Sequence, residues 1–191
     1  MAQPFGQLII ISGPSGAGKS TVVRRLLEVC PLPLCLSVSA TTRPPRPGEE
    51  NGRDYWFLTP DAFESRRKQG DFLECKEVFG RGIWYGTLRN AVSAGREAGK
   101  WVILEIDVQG ALAVQELHPE AITIFIHPGS MEELERRLRL RGTETEPVIA
   151  RRLEVAREEM SLRHRYRHEI INTEVSQAAQ SLCDLLRQYD P

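Results

Sequence analysis

Residues 13–20 decide the fold of this chain, and they read Gly13-Pro14-Ser15-Gly16-Ala17-Gly18-Lys19-Ser20. They follow the apolar run Leu8-Ile9-Ile10-Ile11 and precede a stretch whose apolar residues recur at helical spacing. A G-x-x-x-x-G-K-[ST] loop between a strand and a helix is the arrangement that holds the phosphates of a nucleoside triphosphate. A glycine-rich turn that merely caps a helix is the weaker alternative.

The chemistry of this loop explains its composition. Glycine allows the backbone to curl so that successive N–H groups point at an anion, and the helix N-terminus adds partial positive charge. Lys19 is expected to reach the β and γ phosphates, and Ser20 to offer its hydroxyl to Mg²⁺. The residues expected to bind the triphosphate are Gly13, Pro14, Ser15, Gly16, Ala17, Gly18, Lys19, Ser20 and Thr21.

The composition of the chain bounds its class. Its 191 residues suffice for one domain, and 41% of them are hydrophobic, enough for a packed core. The formal net charge of −1 gives no reason to expect nucleic acid or a membrane surface as a partner, and the apolar runs are too short to span a membrane. There is no signal pattern, and the four cysteines show no metal spacing, so we expect reduced thiols in a cytoplasmic protein. Whether it is a monomer or a homodimer stays open.

Five apolar runs predict the strands of one sheet: 7–12, 34–38, 101–107, 121–126 and 169–172. They are apolar nearly throughout, which is typical of parallel strands covered on both faces. Helical patterns separate them. The first helix has Val22, Val23, Leu26, Leu27 and Cys30 on one face, and the last has Val175, Ala178, Ala179, Leu182, Leu186 and Tyr189. The order predicts an α/β P-loop NTPase core, a parallel sheet flanked by helices.

One stretch interrupts this rhythm. Residues 40–58 are rich in proline, glycine and charge, and short alternating segments with aromatic residues follow them. Residues 37–87 are therefore predicted to form a small, mixed or antiparallel lobe inserted into the core. A second polar break, at residues 141–147, lies between two predicted helices.

Seven short runs outside the phosphate loop carry further information. They are Ser37-Val38-Ser39-Ala40-Thr41-Thr42-Arg43, Pro45-Arg46-Pro47-Gly48-Glu49, Gly52-Arg53-Asp54-Tyr55, Phe72-Leu73-Glu74, Tyr85-Gly86-Thr87, Leu104-Glu105-Ile106-Asp107-Val108-Gln109-Gly110 and Arg141-Gly142-Thr143. In sequence and order they resemble the guanylate kinase family, over almost all of the chain. The resemblance implies transfer of the γ-phosphoryl group of ATP to GMP or dGMP, with Mg²⁺ as the cofactor.

The predicted organisation follows from these runs. A single domain, 1–191, is expected to consist of a core (1–36, 88–135 and 153–191), a GMP-binding lobe (37–87) and a short helical lid (136–152). The acceptor oxygen of a nucleoside monophosphate is already ionised, so no general base is required. Catalysis is then expected to rest on alignment and charge neutralisation, by in-line transfer without a covalent intermediate.

Two arginines and two tyrosines are candidates for the GMP phosphate. Arg43 and Arg46 flank a proline-rich turn, which limits their movement, and arginine suits bidentate contacts to phosphate. Tyr55 and Tyr85 can add phenolic donors. The resemblance implies that all four hold this phosphate. The alternative is a solvated basic turn with two core tyrosines.

Guanine differs from adenine by two donors, N1–H and the 2-amino group, which one carboxylate can accept at once. Glu74 is expected to be this carboxylate, and the resemblance adds Ser39 and Thr87 as hydroxyl contacts to the base. Asp107 ends an apolar strand, where open α/β sheets place their ligands, so it is expected either to bind GMP or to act through water on Mg²⁺. Its division of roles with Glu105 stays open.

The helix predicted over residues 130–141 carries arginines on two faces. Arg141 falls on its apolar stripe and Arg137 on the border, whereas Arg136 and Arg139 fall on the solvated face. The resemblance implies a mobile lid whose arginines meet the transferring phosphoryl group; ordinary surface arginines are the alternative. The catalytic residues expected on that basis are Lys19, Arg137, Arg141 and Arg152.

Two other functions are compatible with the phosphate loop. Another P-loop kinase with a different acceptor would keep residues 13–20 but would not need Ser39, Glu74 and Thr87 together. A guanylate-kinase-like binding module would typically have lost the working loop, which is intact here. Between Glu74 and Tyr85 the chain is slightly longer than common family members, at Arg81-Gly82-Ile83-Trp84.

Overall fold

A computed structural model describes residues 5–78, 82–140 and 145–190, which form two sheets and the helices around them. The strands are β1 (Leu8–Ser12), β2 (Leu34–Leu36), β3 (Ala40–Thr41), β4 (Trp56–Phe57), β5 (Phe72–Val78), β6 (Ile83–Leu88), β7 (Trp101–Glu105), β8 (Ile122–His127) and β9 (His168–Ile171). The helices are α1 (Lys19–Val29), α2 (Pro60–Lys68), α3 (Arg89–Glu97), α4 (Val108–Leu117), α5 (Met131–Leu140), α6 (Glu146–Ser161) and α7 (Val175–Arg187).

The larger sheet has the strand order β2-β7-β1-β8-β9, and every neighbouring pair is parallel. All residues of β1 and β8 are buried, as parallel strands covered on both faces should be. Successive side chains of β1 point to opposite faces: Ile9 and Ile11 pack with α1 and α7, whereas Leu8 and Ile10 pack with α3 and α4. The predicted parallel sheet flanked by helices is confirmed.

The apolar face predicted for α1 is correct except at one residue. Val22, Val23 and Leu26 are buried in the core, but Leu27 is 37% exposed. One residue turns a helix by about 100°, so Leu27 lies beyond the narrow stripe that α7 covers. Each fully buried aliphatic side chain on that stripe contributes about 2 kcal/mol to folding, which is why the stripe holds the helix in place.

The second sheet has the order β4-β3-β6-β5. β3 pairs with β4 in parallel and with β6 antiparallel, and β5 and β6 also run antiparallel. Helix α2 closes one side, where Phe63 stacks on Phe72 with ring centres 4.4 Å apart. The predicted mixed second sheet is confirmed. Its strands leave the core after β2 and return at α3, so it stands beside the phosphate loop.

Helices α5 and α6 pack on each other through a small apolar cluster that includes Leu134, Leu138, Ile149 and Leu153. Arg141, a predicted catalytic residue, lies outside the described residues. Over the ranges that the structure describes, none of the helices has the length and apolar character needed to cross a membrane.

Candidate active site

The phosphate loop connects the end of β1 with the start of α1, and its backbone accepts no side chain at two key points. Gly13 has φ +141° and Gly18 has φ +84°, values that L-residues rarely adopt. A Cβ on Gly13 would lie 2.0 Å from the carbonyl oxygen of Ile126, and one on Gly18 would lie 2.6 Å from Nδ2 of Asn172. The sharp turn therefore depends on glycine and on close contact with the following strands.

Lys19 lies over this loop. Its Nζ donates hydrogen bonds to the carbonyl oxygens of Gly13 at 2.7 Å and Pro14 at 3.1 Å. Helix α1 begins at Lys19, with Gly18 as its N-cap and no capping side chain among the described residues. Its first N–H groups therefore point toward the loop, which favours an anion there.

Two carboxylates stand at the end of β7, Glu105 as its last residue and Asp107 just after it, and the structure gives them different neighbours. Glu105 accepts a hydrogen bond from the Ser20 hydroxyl at 2.5 Å. Asp107 is the N-cap of α4, and its Oδ1 accepts the N–H groups of Gln109 at 2.8 Å and Gly110 at 3.0 Å. Ser20 and Glu105 are hard oxygen donors in contact beside the loop, a donor set that suits Mg²⁺.

Arg43 is the centre of a group of polar and aromatic side chains on the second sheet. Its Nε donates to the Tyr85 hydroxyl at 3.1 Å, and its two terminal nitrogens each donate to Glu49 at 2.9 Å. Glu49 also accepts the backbone N–H of Arg46 at 2.7 Å, and these contacts hold the pKa of its carboxyl below the ordinary value. The guanidinium lies 5.4 Å from the ring centre of Tyr55. Glu49 thus orients the arginine that was predicted to bind phosphate.

Glu74 and Thr87 form a hydrogen-bonded pair on the same sheet. They are cross-strand neighbours in β5 and β6, and the Thr87 hydroxyl donates to Oε1 of Glu74 at 2.7 Å. Thr87 is fully buried, and burial raises the pKa of the Glu74 carboxyl. A Cβ on Gly110 would lie 2.9 Å from Oε2 of Glu74, so the carboxylate sits closely against the start of α4.

One cleft of about 530 Å³ brings most of the predicted site residues together. It lies between the phosphate loop and the second sheet. The predicted residues on its wall are Gly13, Ser15, Gly16, Gly18, Lys19, Ser20, Thr21, Ser39, Arg43, Arg46, Tyr55, Glu74, Tyr85, Asp107 and Arg152. Thr87 lies behind Glu74, and Pro14 and Ala17 contribute backbone to the loop.

Arg137 is not among the residues that line the cleft, and it binds Asn172 and Glu133 instead. Its Nη2 donates to the backbone oxygen of Asn172 at 2.7 Å and its Nε donates to Glu133 at 2.7 Å. Glu133 also accepts a hydrogen bond from Arg136, and the two guanidiniums lower its pKa to about 2. Arg136 is 61% exposed, as the helical spacing predicted, whereas Arg137 is 20% exposed.

Asn172 is a site residue that the sequence analysis missed. It is 2% exposed, and its Nδ2 donates to the carbonyl oxygen of Ala17 at 2.7 Å. It therefore joins the phosphate loop to Arg137. The available signal was its place at the end of a predicted strand, at the edge where ligands bind.

Glu159 was also missed, because a charged residue within a helix gives no signal in sequence. It lies on α6, where its carboxylate accepts the backbone N–H of Ser15 and faces Lys19. Burial raises the pKa of this carboxyl, and the nearby Lys19 charge opposes that rise.

A five-stranded parallel sheet with this loop and a facing cleft gives the chain the fold of a P-loop NTPase. In fold it is similar to shikimate kinase from Bacteroides thetaiotaomicron, with a TM-score of 0.53 at 16% identity over 95% of this chain and 98% of that one. A family model described as guanylate kinase matches residues 5–189. The chain belongs to the guanylate kinase family.

Individual relatives agree with this assignment. Guanylate kinase from Rhodopirellula baltica is 62% identical over 182 residues, which cover 95% of this chain and 87% of that protein. Guanylate kinase from a Nostoc species is 48% identical, covering 93% of this chain and 87% of that protein. The crystal structure of guanylate kinase from Anaplasma phagocytophilum has a TM-score of 0.79 at 33% identity, covering 98% of this chain and 88% of that one.

Proposed function

We propose that this cleft transfers the γ-phosphoryl group of ATP to GMP and forms ADP and GDP. Membership of the guanylate kinase family supports the ATP-dependent phosphorylation of GMP. The observation that carries the finer proposal is Glu74, which accepts a hydrogen bond from Thr87 and lines the same cleft as the phosphate loop. A buried carboxylate held by a hydroxyl can accept hydrogen bonds from both guanine donors, N1–H and the 2-amino group. Adenine N1 carries no hydrogen, so it offers this carboxylate no donor.

The acceptor is held at its two ends. Ser39 and Glu74 line the cleft and contact the base, while Thr87 holds Glu74 from behind. The same groups would bind dGMP. The phosphate end is held by Arg43, Arg46, Tyr55 and Tyr85. Arg43 already lies against Tyr85 in a geometry fixed by Glu49, so little side-chain freedom is lost when the phosphate binds.

The donor is held by the loop N–H groups, the N-terminus of α1 and Lys19, whose ammonium exchanges loop carbonyls for the β and γ phosphates. Mg²⁺ would be held by the Ser20 hydroxyl and, directly or through water, by Glu105, and it supplies charge neutralisation of the triphosphate. Asp107 holds the start of α4 next to Glu74 and serves the acceptor side. Asn172 fixes the Ala17 carbonyl and keeps the loop in shape.

Alignment and charge neutralisation carry the transfer. The acceptor oxygen is already ionised, so no side chain needs to take a proton. Arg152 faces the cleft, and Arg137 reaches it when the Glu133 and Asn172 contacts rearrange. Together with Arg141, they spread positive charge over the transferring group and, with the closing lid, exclude water that would hydrolyse ATP.

The proposed boundaries are a core of residues 1–36, 88–135 and 153–191, a GMP-binding lobe of residues 37–87 and a lid of residues 136–152. The packing of α5 on α6 near the loop supports such a lid. The cleft residues all come from one chain, so the proposal holds for a monomer and for a homodimer. A cytoplasmic location is proposed because both substrates are available there.

Release of ADP from Mg²⁺–ATP in a coupled assay, with GMP, AMP, UMP and CMP offered separately, tests the proposal. We expect turnover with GMP and at least about 10⁴-fold lower kcat/KM with AMP, because a site built on hydrogen bonds rejects an analogue that lacks them. Equal turnover with another acceptor would retain the kinase but contradict the role of Glu74. ATP binding without turnover of GMP would contradict the proposed function.

A further inference from the structure

We propose that Lys76 is an additional acceptor-binding residue, which donates a charge-assisted hydrogen bond to the phosphate of GMP. The inference rests on the proposed function and extends it by one residue. Lys76 lies on β5 and lines the cleft. Lys76 is not part of the apolar cluster of this lobe, and its side chain is 44% exposed. A role in folding therefore does not explain a lysine at this position.

The register of the second sheet places Lys76 at the phosphate end of the acceptor site. Glu74 pairs with Thr87, and two residues further along β5 Lys76 pairs with Tyr85. Directly opposed residues of an antiparallel pair share a face, with Cβ atoms about 5 Å apart. Two steps along a strand cover about 7 Å. Lys76 therefore stands beside Tyr85, at the proposed phosphate end, whereas Glu74 stands beside Thr87, at the proposed base end.

The contact with Asp107 orients the Lys76 ammonium group but leaves it donors for a ligand. The Nζ of Lys76 lies 3.5 Å from Oδ1 of Asp107, an oxygen that already accepts the N–H groups of Gln109 and Gly110. An ammonium has three donors, and a separation of 3.5 Å is at the outer limit of a hydrogen bond. The side chain is 44% exposed, so this ion pair adds little to folding stability. A phosphate in the cleft is a stronger partner for the same group.

The charges that line the cleft favour a cation at position 76 when GMP binds. Four carboxylates line it, Glu49, Glu74, Glu105 and Asp107, and apart from Lys76 so do four cations, Lys19, Arg43, Arg46 and Arg152. These charges balance, so a GMP phosphate of about −2 charge would leave the cleft negative without Lys76. The Lys76 charge reaches Glu74, because it opposes the rise that burial causes in the pKa of the Glu74 carboxyl. A lysine here allows an anionic acceptor to bind close to carboxylates that the base and α4 require.

The test compares Lys76→Met with Lys68→Met. Lys68 lies on α2 of the same lobe, is 75% exposed and is 3.7 Å from Glu64, so the control removes the same charge far from the cleft. We expect Lys76→Met to raise KM for GMP about tenfold, the loss of about 1.4 kcal/mol, with KM for ATP unchanged. Lys76→Arg should recover most of the affinity. A KM for GMP equal to that of Lys68→Met would overturn the inference.

Calorimetric titration with GMP and with guanosine separates a phosphate contact from a general disturbance of the lobe. Lys76→Met should weaken GMP binding and leave guanosine binding unchanged. Equal weakening of both ligands would contradict the phosphate contact. Measurements on the wild-type protein distinguish the two proposals. If the wild-type protein fails to bind or phosphorylate GMP, the proposed function fails. If it does both and Lys76→Met behaves like Lys68→Met, only the role of Lys76 fails.

Discussion

The two halves of the cleft bind phosphates by different means. The donor half is one continuous loop, and it offers backbone N–H groups, a helix end and a single lysine. The acceptor half is assembled from side chains on β5, on β6, just before β3 and in the segment between β3 and β4. Its members contact one another, as Arg43 contacts Tyr85 and Glu49. A backbone site recognises any triphosphate, whereas a side-chain site can recognise one base.

This difference predicts how the two halves respond to substitution. Apart from Lys19 and Ser20, the donor loop should tolerate changes of side chain. It should not tolerate a Cβ on Gly13, because Gly13 lies against the Ile126 carbonyl. The acceptor half tolerates no exchange of its hydrogen-bonding groups, but each exchange should affect one feature of the acceptor.

The largest effect is expected from Lys19→Ala. The variant removes the mobile charge from the donor half, and kcat should fall about 10³-fold because the transition-state charge loses its nearest cation. Affinity for GMP should stay within about twofold of wild type. The matched control is Arg24→Ala, an exposed cation on the same helix, which should leave kcat unchanged. Steady-state kinetics and GMP titration check both values, and an equal loss of GMP binding would break the separation.

Glu74→Gln should have the next largest effect, confined to the acceptor. Its amide presents a donor to the donors of guanine, so kcat/KM for GMP should fall about 10²-fold while KM for ATP stays constant. The discrimination against AMP should shrink by a similar factor. Assays with both monophosphates measure this ratio, and unchanged discrimination would exclude Glu74 from base recognition.

Asn172→Ala should have a smaller effect, on the donor half alone. Loss of the bond to the Ala17 carbonyl should lower kcat/KM for ATP about tenfold, and Thr173→Ala, at an exposed neighbour, serves as the control. Asn172→Asp offers a sharper measurement. Its carboxylate cannot donate to Ala17, but the protonated acid can, so its activity relative to wild type should rise as the pH falls. A flat ratio would contradict a positioning role.

The smallest effect is on stability. Burial raises the pKa of Glu74, so the folded protein binds a proton more tightly than the unfolded chain, and ionisation at neutral pH costs stability. Glu74→Gln should therefore raise Tm at pH 7. The gain should shrink as the pH falls through the folded-state pKa and vanish below the pKa of the unfolded chain. For Glu64→Gln we expect the opposite change, a lower Tm at pH 7, because Arg67 lowers the pKa of the Glu64 carboxyl. Thermal melts across pH measure both.

The donor half and the parallel sheet were predictable because their signals are local. A glycine-rich loop between an apolar strand and an amphipathic helix needs only consecutive residues. The neighbours of Ser20 were not predictable, since Glu105 reaches it only when β1 and β7 pair. The roles of Asn172 and Lys76 were not predictable for the same reason, because both rest on tertiary contacts. The extra length between β5 and β6 also left the pairing of Lys76 with Tyr85 undetermined from sequence.

Binding measured in a crossed design tests the central claim, that the two halves act separately, most directly. Wild type, Lys19→Ala and Glu74→Gln are each titrated with GMP and with a non-hydrolysable ATP analogue in Mg²⁺, and circular dichroism verifies that all three are folded. We expect Lys19→Ala to lose affinity for the analogue alone and Glu74→Gln to lose affinity for GMP alone. If either folded variant lost affinity for both ligands to the same extent, the division of the cleft into a donor half and an acceptor half would be contradicted.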